Sequence, residues 1–215
     1  MPVSTTYHGS MAPPRAPAGS TSPARPSDLR RAQILAAAAQ LFASHGFHGS
    51  SIDDLGAAIG MTGPAVYRYF RSKEAILSAL LVDVSRSLLA GGRARLVDAT
   101  GWDAVHALVD WHVTFALDNP TLIVLQSRDL GALAPTEQRR VRRLQRAYVQ
   151  IWVDAIVAAG GGTDGATALA AAHAVFGLIN STPHSARLER PAMAGLLLRM
   201  AMSAIAGATG REPAG

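Results

Sequence analysis

The residues best suited to chemistry lie between Ser51 and Lys73, where hydroxyl and cationic side chains follow one another at helical spacing. Tyr67, Arg68 and Tyr69 carry donors that can bind phosphate oxygens, while the tyrosine rings can pack on sugars. Lys73 can reach a second phosphate. These residue types indicate contact with a nucleic-acid backbone. The predicted contact set is Ser51, Thr62, Gly63, Pro64, Tyr67, Arg68, Tyr69 and Lys73.

Two short helices are needed to position these side chains. A first helix is predicted from Ser51 to Ile59, because apolar residues recur there every three or four positions. Gly60 ends it, since glycine adopts a positive φ at little cost. A second helix opens at Thr62, with Pro64 in its first turn. This arrangement predicts a helix-turn-helix whose second helix enters a DNA major groove, the alternative being an ordinary helical hairpin with half-buried tyrosines.

The start of the second helix limits how DNA sequence can be read. Gly63 is small enough for close approach to DNA, but it has no side chain with which to read a base. Thr62, Tyr67 and Arg68 are therefore expected to carry specificity together with DNA shape. The acids in the first turn of the first helix are expected to be capping and dipole partners rather than base contacts: Asp53 and Asp54.

The segment from about Arg30 to Leu81 resembles the N-terminal domain of TetR-type transcriptional repressors. The resemblance implies a homodimeric DNA-binding protein that holds a ligand pocket among its C-terminal helices. An effector-independent or architectural DNA-binding protein is one alternative, and an interaction protein with a vestigial hairpin is another. The matching residues are Ile34-Leu35 through Leu41-Phe42, His45-Gly46-Phe47, Ile52-Asp53-Asp54-Leu55-Gly56, Gly60-Met61-Thr62, Val66-Tyr67-Arg68-Tyr69-Phe70 and Ser72-Lys73-Glu74.

Composition excludes several other classes of protein. The chain of 215 residues has no Cys, which excludes disulfides and thiolate-ligated metals. Its seven His residues are scattered and no catalytic motif is present, so neither an enzyme, a cofactor nor a metal site is predicted. The absence of an apolar signal core and of a long apolar run predicts a cytoplasmic protein without a membrane span. The net charge of +5 adds little, because residues 27–80 carry five basic and four acidic side chains.

The whole chain is predicted to be all-α, with about nine helices. Residues 1–26 are rich in Pro, Ala, Ser and Gly and are expected to be a disordered arm. Residues 27–71 form the three-helix helix-turn-helix domain, whose first helix is predicted to be capped by Ser27 or Asp28 and to end at Gly46. Residues 72–208 form the ligand-binding and dimerisation domain, and residues 209–215 form a polar tail.

The distal domain is predicted to contain six helices. The first starts at Ser72 and is weakened or ended at Gly91-Gly92, with a further turn or two that can reach Val97. By the resemblance, the last two of these helices pair with their mates in a four-helix homodimer interface. The other five span Trp102–Asp118, Pro120–Leu130, Pro135–Ala158, about 163–181 and about 191–206.

An effector pocket is predicted among these helices, mainly apolar and with a few polar anchors. Residues 176–185 resemble a segment of actinobacterial TetR-type regulators of lipid or acyl-CoA metabolism, which points to an acyl-CoA or a fatty acid as the effector. Four arginines on one face of the Pro135 helix are either a solvated surface or a site for the phosphates of such a ligand: Arg139, Arg142, Arg143 and Arg146. The candidate lining is Trp111, His112, Phe115, Gln126, Tyr148, Trp152 and Phe176.

Overall fold

The computed structural model describes residues 25–211, and this part of the chain is all-α, as predicted. Nine of its helices have five residues or more, and α9 is a single turn. A short 3-10 turn, Leu130–Ala132, follows α6. The predicted arm before residue 25 and the tail beyond residue 211 lie outside the described residues. The helices are α1 (Pro26–His45), α2 (Ile52–Ala58), α3 (Gly63–Tyr67), α4 (Lys73–Arg95), α5 (Gly101–Asp118), α6 (Pro120–Arg128), α7 (Pro135–Ala159), α8 (Gly165–Ile179), α9 (Thr182–Ser185) and α10 (Arg190–Ala208).

The first apolar core joins α1, α2 and α3 to the first half of α4. Its fully buried members lie at helical spacing in the sequence, and they include Ile34, Phe42, Leu55 and Val66. Phe47 folds back on α1, with its ring centroid 5.4 Å from that of Phe42. This core makes the three short N-terminal elements one unit with the start of α4, which we call the head.

The beginning of α1 differs from the prediction. Neither Ser27 nor Asp28 caps the helix, because Pro26 already occupies its first turn and Arg25 takes the N-cap position. Proline suits the first helical position, since its fixed φ is helical and its missing N–H would be unpaired there in any case. The end of α1 is as predicted, at Gly46 with a φ of 80°.

The second apolar core lies among α5, α7, α8, α10 and the second half of α4. Its largest fully buried side chains are Trp152, Leu108, Ile156, Ile179 and Leu197. The two cores are adjacent, because Leu125 of α6 and Val141 of α7 pack with the head. We call this second unit the distal bundle.

Gly91-Gly92 does not end the long helix, and the further turns that the sequence allowed up to Val97 are continuous with it. Helix α4 continues through both residues to Arg95. A Cβ at position 91 would overlap the ring of Trp111, and one at position 92 would press on Tyr148 and Ile151. These glycines therefore let α5 and α7 approach the backbone of α4 closely, and this packing outweighs their low helix propensity.

Two helices are long and apolar enough to cross a membrane by length and composition alone, although the sequence indicated no span. In α4 the apolar stretch is 61% buried inside the fold, which is typical of a core helix. In α10 the corresponding stretch is only 28% buried. Helix α10 therefore leaves an apolar face on the surface of one chain.

Gly91→Ala tests the close contact between α4 and α5. We expect the unfolding free energy to fall by about 1–3 kcal/mol, because the Trp111 ring is held in place by packing and cannot move away cheaply. Gly165→Ala is the matched control, since a Cβ there meets open space, and its effect should stay within about 0.5 kcal/mol. Urea denaturation of both variants measures the difference. Equal stabilities would contradict the packing role of Gly91.

Candidate functional site

Ser51 and Asp54 fix the start of α2. The Ser51 hydroxyl accepts the backbone N–H of Asp54 at 3.0 Å, and the Asp54 carboxylate accepts the N–H of Ser51 at 3.0 Å. This capping box satisfies two backbone donors reciprocally, and the hydrogen bonds from Ser51 lower the pKa of Asp54. Asp54 is thus a capping partner, as predicted. A contact between Ser51 and DNA stays a prediction.

Gly63 is buried where α3 packs on α2, and a Cβ there would meet the carboxylate end of the exposed Asp53 side chain. The prediction that its small size allows DNA to approach closely stays a prediction. Thr62 and Pro64 beside it are exposed.

The accessible donors of α3 are at its C-terminal end. Tyr67 is 53% exposed and Arg68 is also exposed, so both side chains are available to a ligand. Tyr69 is half-buried against the head core. The guanidinium of Arg31 lies 4.0 Å from the ring centroid of Phe70, which fixes the turn after α3. Tyr67 and Arg68 form the polar surface of this helix.

Lys73 is held inside the head. Its ammonium donates to the backbone oxygens of Phe47 at 2.8 Å and Ser50 at 2.7 Å, and it lies 4.5 Å from the ring centroid of Phe47. Two of its three N–H groups are thus committed to the loop between α1 and α2. Lys73 was predicted to bind a phosphate, but in the structure its ammonium group stabilises the fold of the head. Any contact with DNA must use its remaining N–H.

A cavity of about 300 Å³ lies between the helices of the distal bundle. Four of the seven predicted lining residues surround it: His112, Gln126, Tyr148 and Phe176. The remaining lining residues come from α4, α6, α7 and α8. They are Ser85, Leu88, Ile123, Ser127, Gln145, Val149, His173 and Asn180.

The other three predicted lining residues do not border the cavity. Trp111 faces α4, where its indole N–H donates to the oxygen of Leu88 at 3.1 Å. Phe115 packs beside Trp111, at 5.9 Å between ring centroids. Trp152 is fully buried behind Phe176, at 4.8 Å between ring centroids. These aromatic residues were selected for size and apolarity, which core and pocket residues share.

The sequence carried a partial signal for the lining residues that were missed. His173 and Asn180 lie seven residues apart on one face of the α8 region, a spacing that indicates a shared polar environment. Ser85 and Gln145 lie on different helices, and nothing in their sequence neighbourhood connects them. Only the packing of α4 against α7 brings them to one cavity.

A hydrogen-bonded chain of three side chains, His112, Tyr148 and Asn180, forms one wall of the cavity. The His112 Nε2–H donates to Oδ1 of Asn180 at 3.1 Å, because that oxygen can only accept. Nδ1 of the neutral ring must then accept, so the Tyr148 hydroxyl donates to it at 3.1 Å. Burial lowers the pKa of His112 to about 4 and raises that of Tyr148. At neutral pH this relay is uncharged.

Arg128 connects the cavity wall to the head. It follows Gln126 and Ser127 on α6, and its guanidinium donates to the oxygens of Phe42 at 2.5 Å and Ala43 at 3.3 Å. Asp129 orients the guanidinium through hydrogen bonds of 3.0 and 2.9 Å. Arg128 therefore binds backbone carbonyls near the C-terminal end of α1, of which that of Phe42 also accepts the N–H of Gly46.

Two family descriptions match the chain. Residues 34–80 match "Bacterial regulatory proteins, tetR family", and residues 98–184 match "Tetracyclin repressor-like, C-terminal domain". The chain belongs to the TetR family. The resemblance seen in the helix-turn-helix is thereby confirmed, and the distal bundle is the family's C-terminal domain. TetR-family proteins are transcriptional regulators and not enzymes, which confirms the expectation for this chain.

Two curated relatives match this chain over part of their sequence. The transcriptional activator FasR of Mycolicibacterium smegmatis is 33% identical over 75 residues, which are 35% of this chain and 34% of the relative. The regulator EthR of the same species is 47% identical over 68 residues, which are 31% of each chain. The matched part thus spans about a third of the length of these relatives.

Solved structures share the fold over most of their length. A tetR-family protein from Rhodococcus RHA1 has a TM-score of 0.71 at 23% identity, covering 81% of this chain and 96% of the other. AibR, solved with isovaleryl coenzyme A and operator DNA, has a TM-score of 0.69 at 18% identity, covering 80% and 97%. FadR from Bacillus subtilis, solved with stearoyl-CoA, has a TM-score of 0.62 at 19% identity, covering 80% and 98%.

Because His112 is buried and uncharged, we expect the folded state of this TetR-family regulator to lose stability at acid pH. Its pKa is lower in the folded than in the unfolded chain, so the unfolded chain gains a proton first as the pH falls from about 6.5 towards 4. Stability should therefore decrease over this window, by roughly 2–3 kcal/mol at pH 4.5. Chemical denaturation at several pH values measures the slope. In the control His112→Gln the slope should be shallower, and identical slopes would contradict the assignment.

Proposed function

We propose that this TetR-family chain is a ligand-responsive repressor that acts in the cytoplasm as a homodimer on a palindromic operator. A small hydrophobic or amphipathic effector in the distal bundle would release it from DNA. The single observation that carries the proposal is α4, one continuous helix that packs in the head core at one end and lines the cavity at the other.

The DNA surface in this proposal is the exposed side of the hairpin. Tyr67 and Arg68 would contact phosphates and base edges, while Thr62 and Pro64 lie at the exposed start of the same helix. Each subunit would present its α3 to one half-site. The half-sites would lie about one DNA turn apart or somewhat more, along one face of the duplex.

The effector class is proposed from the cavity and from the structural neighbours. The cavity volume reaches the lower end of the range for small-molecule sites, which favours an effector-responsive protein over an effector-independent or architectural one. AibR and FadR, which share the fold, were solved with acyl-CoA ligands. An acyl-CoA or a fatty acid is therefore the proposed class. Arg142 and Arg146 are exposed on α7 beside the lining residue Gln145, where they could meet the phosphates of an acyl-CoA.

Two connections would carry the effect of the ligand to the head. One is α4 itself, through Ser85 and Leu88 in the cavity wall. The other is α6, where Gln126 and Ser127 line the cavity and Arg128 holds the end of α1. A shift of α6 would therefore pull directly on the head and change the distance between the two reading helices of a dimer.

The dimer surface is proposed on α8 and α10. Both helices expose apolar residues, including Leu169 at 42% and Met200 at 45% exposure. Gly177 and Gly207 face open space, so another helix can approach the backbone closely there. Small residues on exposed helical faces fit a four-helix interface between two copies of the chain.

Arg68→Ala and Tyr67→Phe test the DNA surface. Both side chains are exposed, so we expect an operator affinity about tenfold lower with little change in stability. The salt slope of binding should decrease by about one for Arg68→Ala. Fluorescence anisotropy on an operator duplex at several salt concentrations measures both effects. Arg86→Ala, an exposed change on α4, is the control, and unchanged affinity in both hairpin variants would contradict the assignment.

Leu169→Arg tests the dimer surface. A charge placed between packed helices should convert the dimer to a monomer and reduce operator binding, since two half-sites can no longer be held together. Val97→Arg is the control, because Val97 is 77% exposed and lies outside both helices, on the connection between α4 and α5. Sedimentation velocity reports the oligomeric state. A dimeric Leu169→Arg would exclude this interface.

Arg128→Lys tests the connection through α6. Lysine keeps the charge beside Asp129 but cannot reproduce the forked contact with the α1 carbonyls. We expect effector affinity to be retained while the effector-induced change in operator affinity shrinks about threefold or more. Arg86→Lys on α4 is the matched control, because Arg86 is an exposed arginine that pairs with Asp83. A full effector response in Arg128→Lys would leave α4 as the sole connection.

A further inference from the structure

The wall of the distal cavity is chemically uniform in one respect. In the part of the chain between residues 25 and 211, none of the side chains that line it is Asp, Glu, Lys or Arg. Its polar members are hydroxyls, primary amides and imidazoles. The arginines of α7 are exposed on the outer surface and do not belong to the lining. A ligand group inside the cavity would therefore meet no fixed charge.

Four of the eight donor-bearing side chains of the wall already donate within the protein. The His112 and Tyr148 donors are spent within the relay. The hydroxyls of Ser85 and Ser127 donate to backbone oxygens of their own helices, at 2.8 and 2.9 Å. The three hydroxyls can still accept a hydrogen bond, but none of these four groups offers a ligand oxygen a free proton.

The uncommitted donors are the primary amides and the imidazole N–H of His173. Oδ1 of Asn180 accepts from His112, which leaves its Nδ2 hydrogens without a partner in the described part of the chain. The side chains of Gln126 and Gln145 make no hydrogen bond there either. An amide N–H binds a carbonyl oxygen well. It compensates the lost hydration of a carboxylate less completely than a cation does.

We propose that the cavity binds an uncharged acyl group, in an ester, amide or thioester, through amide donors led by Asn180, and that it discriminates against the free carboxylic acid. This inference rests on the proposed effector site and narrows its ligand class. A carboxylate would lose hydration without gaining an ion pair, whereas a neutral carbonyl needs only one hydrogen bond.

The cavity volume sets the size of the probes. At the roughly 30 Å³ that a water molecule occupies in the liquid, about 300 Å³ holds about ten non-hydrogen atoms. Octanoate and octanamide both have about this size and differ in charge. Methyl octanoate and octanoyl-CoA add an ester and a thioester with the same acyl chain.

The experiment compares these four ligands by calorimetry on the full-length protein at pH 7.5. We expect octanamide and methyl octanoate to bind at least about tenfold more tightly than octanoate. Tighter binding of octanoyl-CoA than of methyl octanoate would assign the acyl group to a CoA thioester. The reverse order would assign it to a simple ester or amide. Either order supports an uncharged acyl ligand.

Two variants test the charge of the wall directly. Gln126→Arg places a cation in the lining and should shift the preference at least about tenfold towards octanoate, because the carboxylate then gains a partner. Gln150→Arg, on the exposed side of α7, should leave the preference unchanged. The preference for neutral ligands must also persist in His173→Gln. This variant removes the exposed imidazole of the lining and leaves an amide in its place.

The failures of this inference and of the proposed effector site are distinguishable. Octanoate binding as tightly as octanamide, or an unchanged preference in Gln126→Arg, would overturn the uncharged-acyl inference and leave the effector site intact. If none of the four ligands bound and none changed operator affinity, the acyl effector site would fail, and this inference with it.

Discussion

One helix has to be buried in two apolar cores, and the rest of the molecule is arranged around that requirement. Ile76, Leu77 and Leu81 of α4 pack in the head, whereas Leu88 and Leu89 pack in the distal bundle. A helix buried along most of its length needs neighbours on several sides. Gly91 and Gly92 meet this need by admitting Trp111 and Tyr148 to the helix surface. The same close packing places a cavity beside the middle of α4.

Several polar side chains of the head form hydrogen bonds that stabilise the fold. Ser51 and Asp54 cap α2, and Lys73 ties the loop after α1 to the start of α4. Few charges are left to attract DNA, so binding would rest on the shape of the hairpin and on the exposed Tyr67 and Arg68. Because the head is nearly neutral, its affinity for DNA is expected to depend less on salt concentration than that of a strongly basic domain, since fewer counterions are released.

The distal bundle separates neutral from charged surfaces. The His112 relay is hydrogen-bonded within a buried aromatic group that includes Phe176 and Trp152, so charging it would be costly. Arginines occupy the outer face of α7, only one turn from the lining residues. An amphiphile with an uncharged chain and anionic phosphates would match this division, with its acyl part inside and its head group outside.

Sequence alone determined the elements and the family. Apolar spacing, the glycines at the ends of α1 and α7 and the prolines in first turns are local signals, and they located every helix of five residues or more to within a few positions. The motif from Val66 to Phe70 placed the hairpin in its family. Tertiary structure decided what the sequence left ambiguous: whether Gly91 ends a helix or admits a ring, whether Lys73 is free, and which aromatic residues reach the cavity. Trp111 and Tyr148 look alike in sequence because both lie on the apolar side of a helix. Which of them borders a cavity depends on helices far apart in the chain, so that difference exists only once the helices have packed.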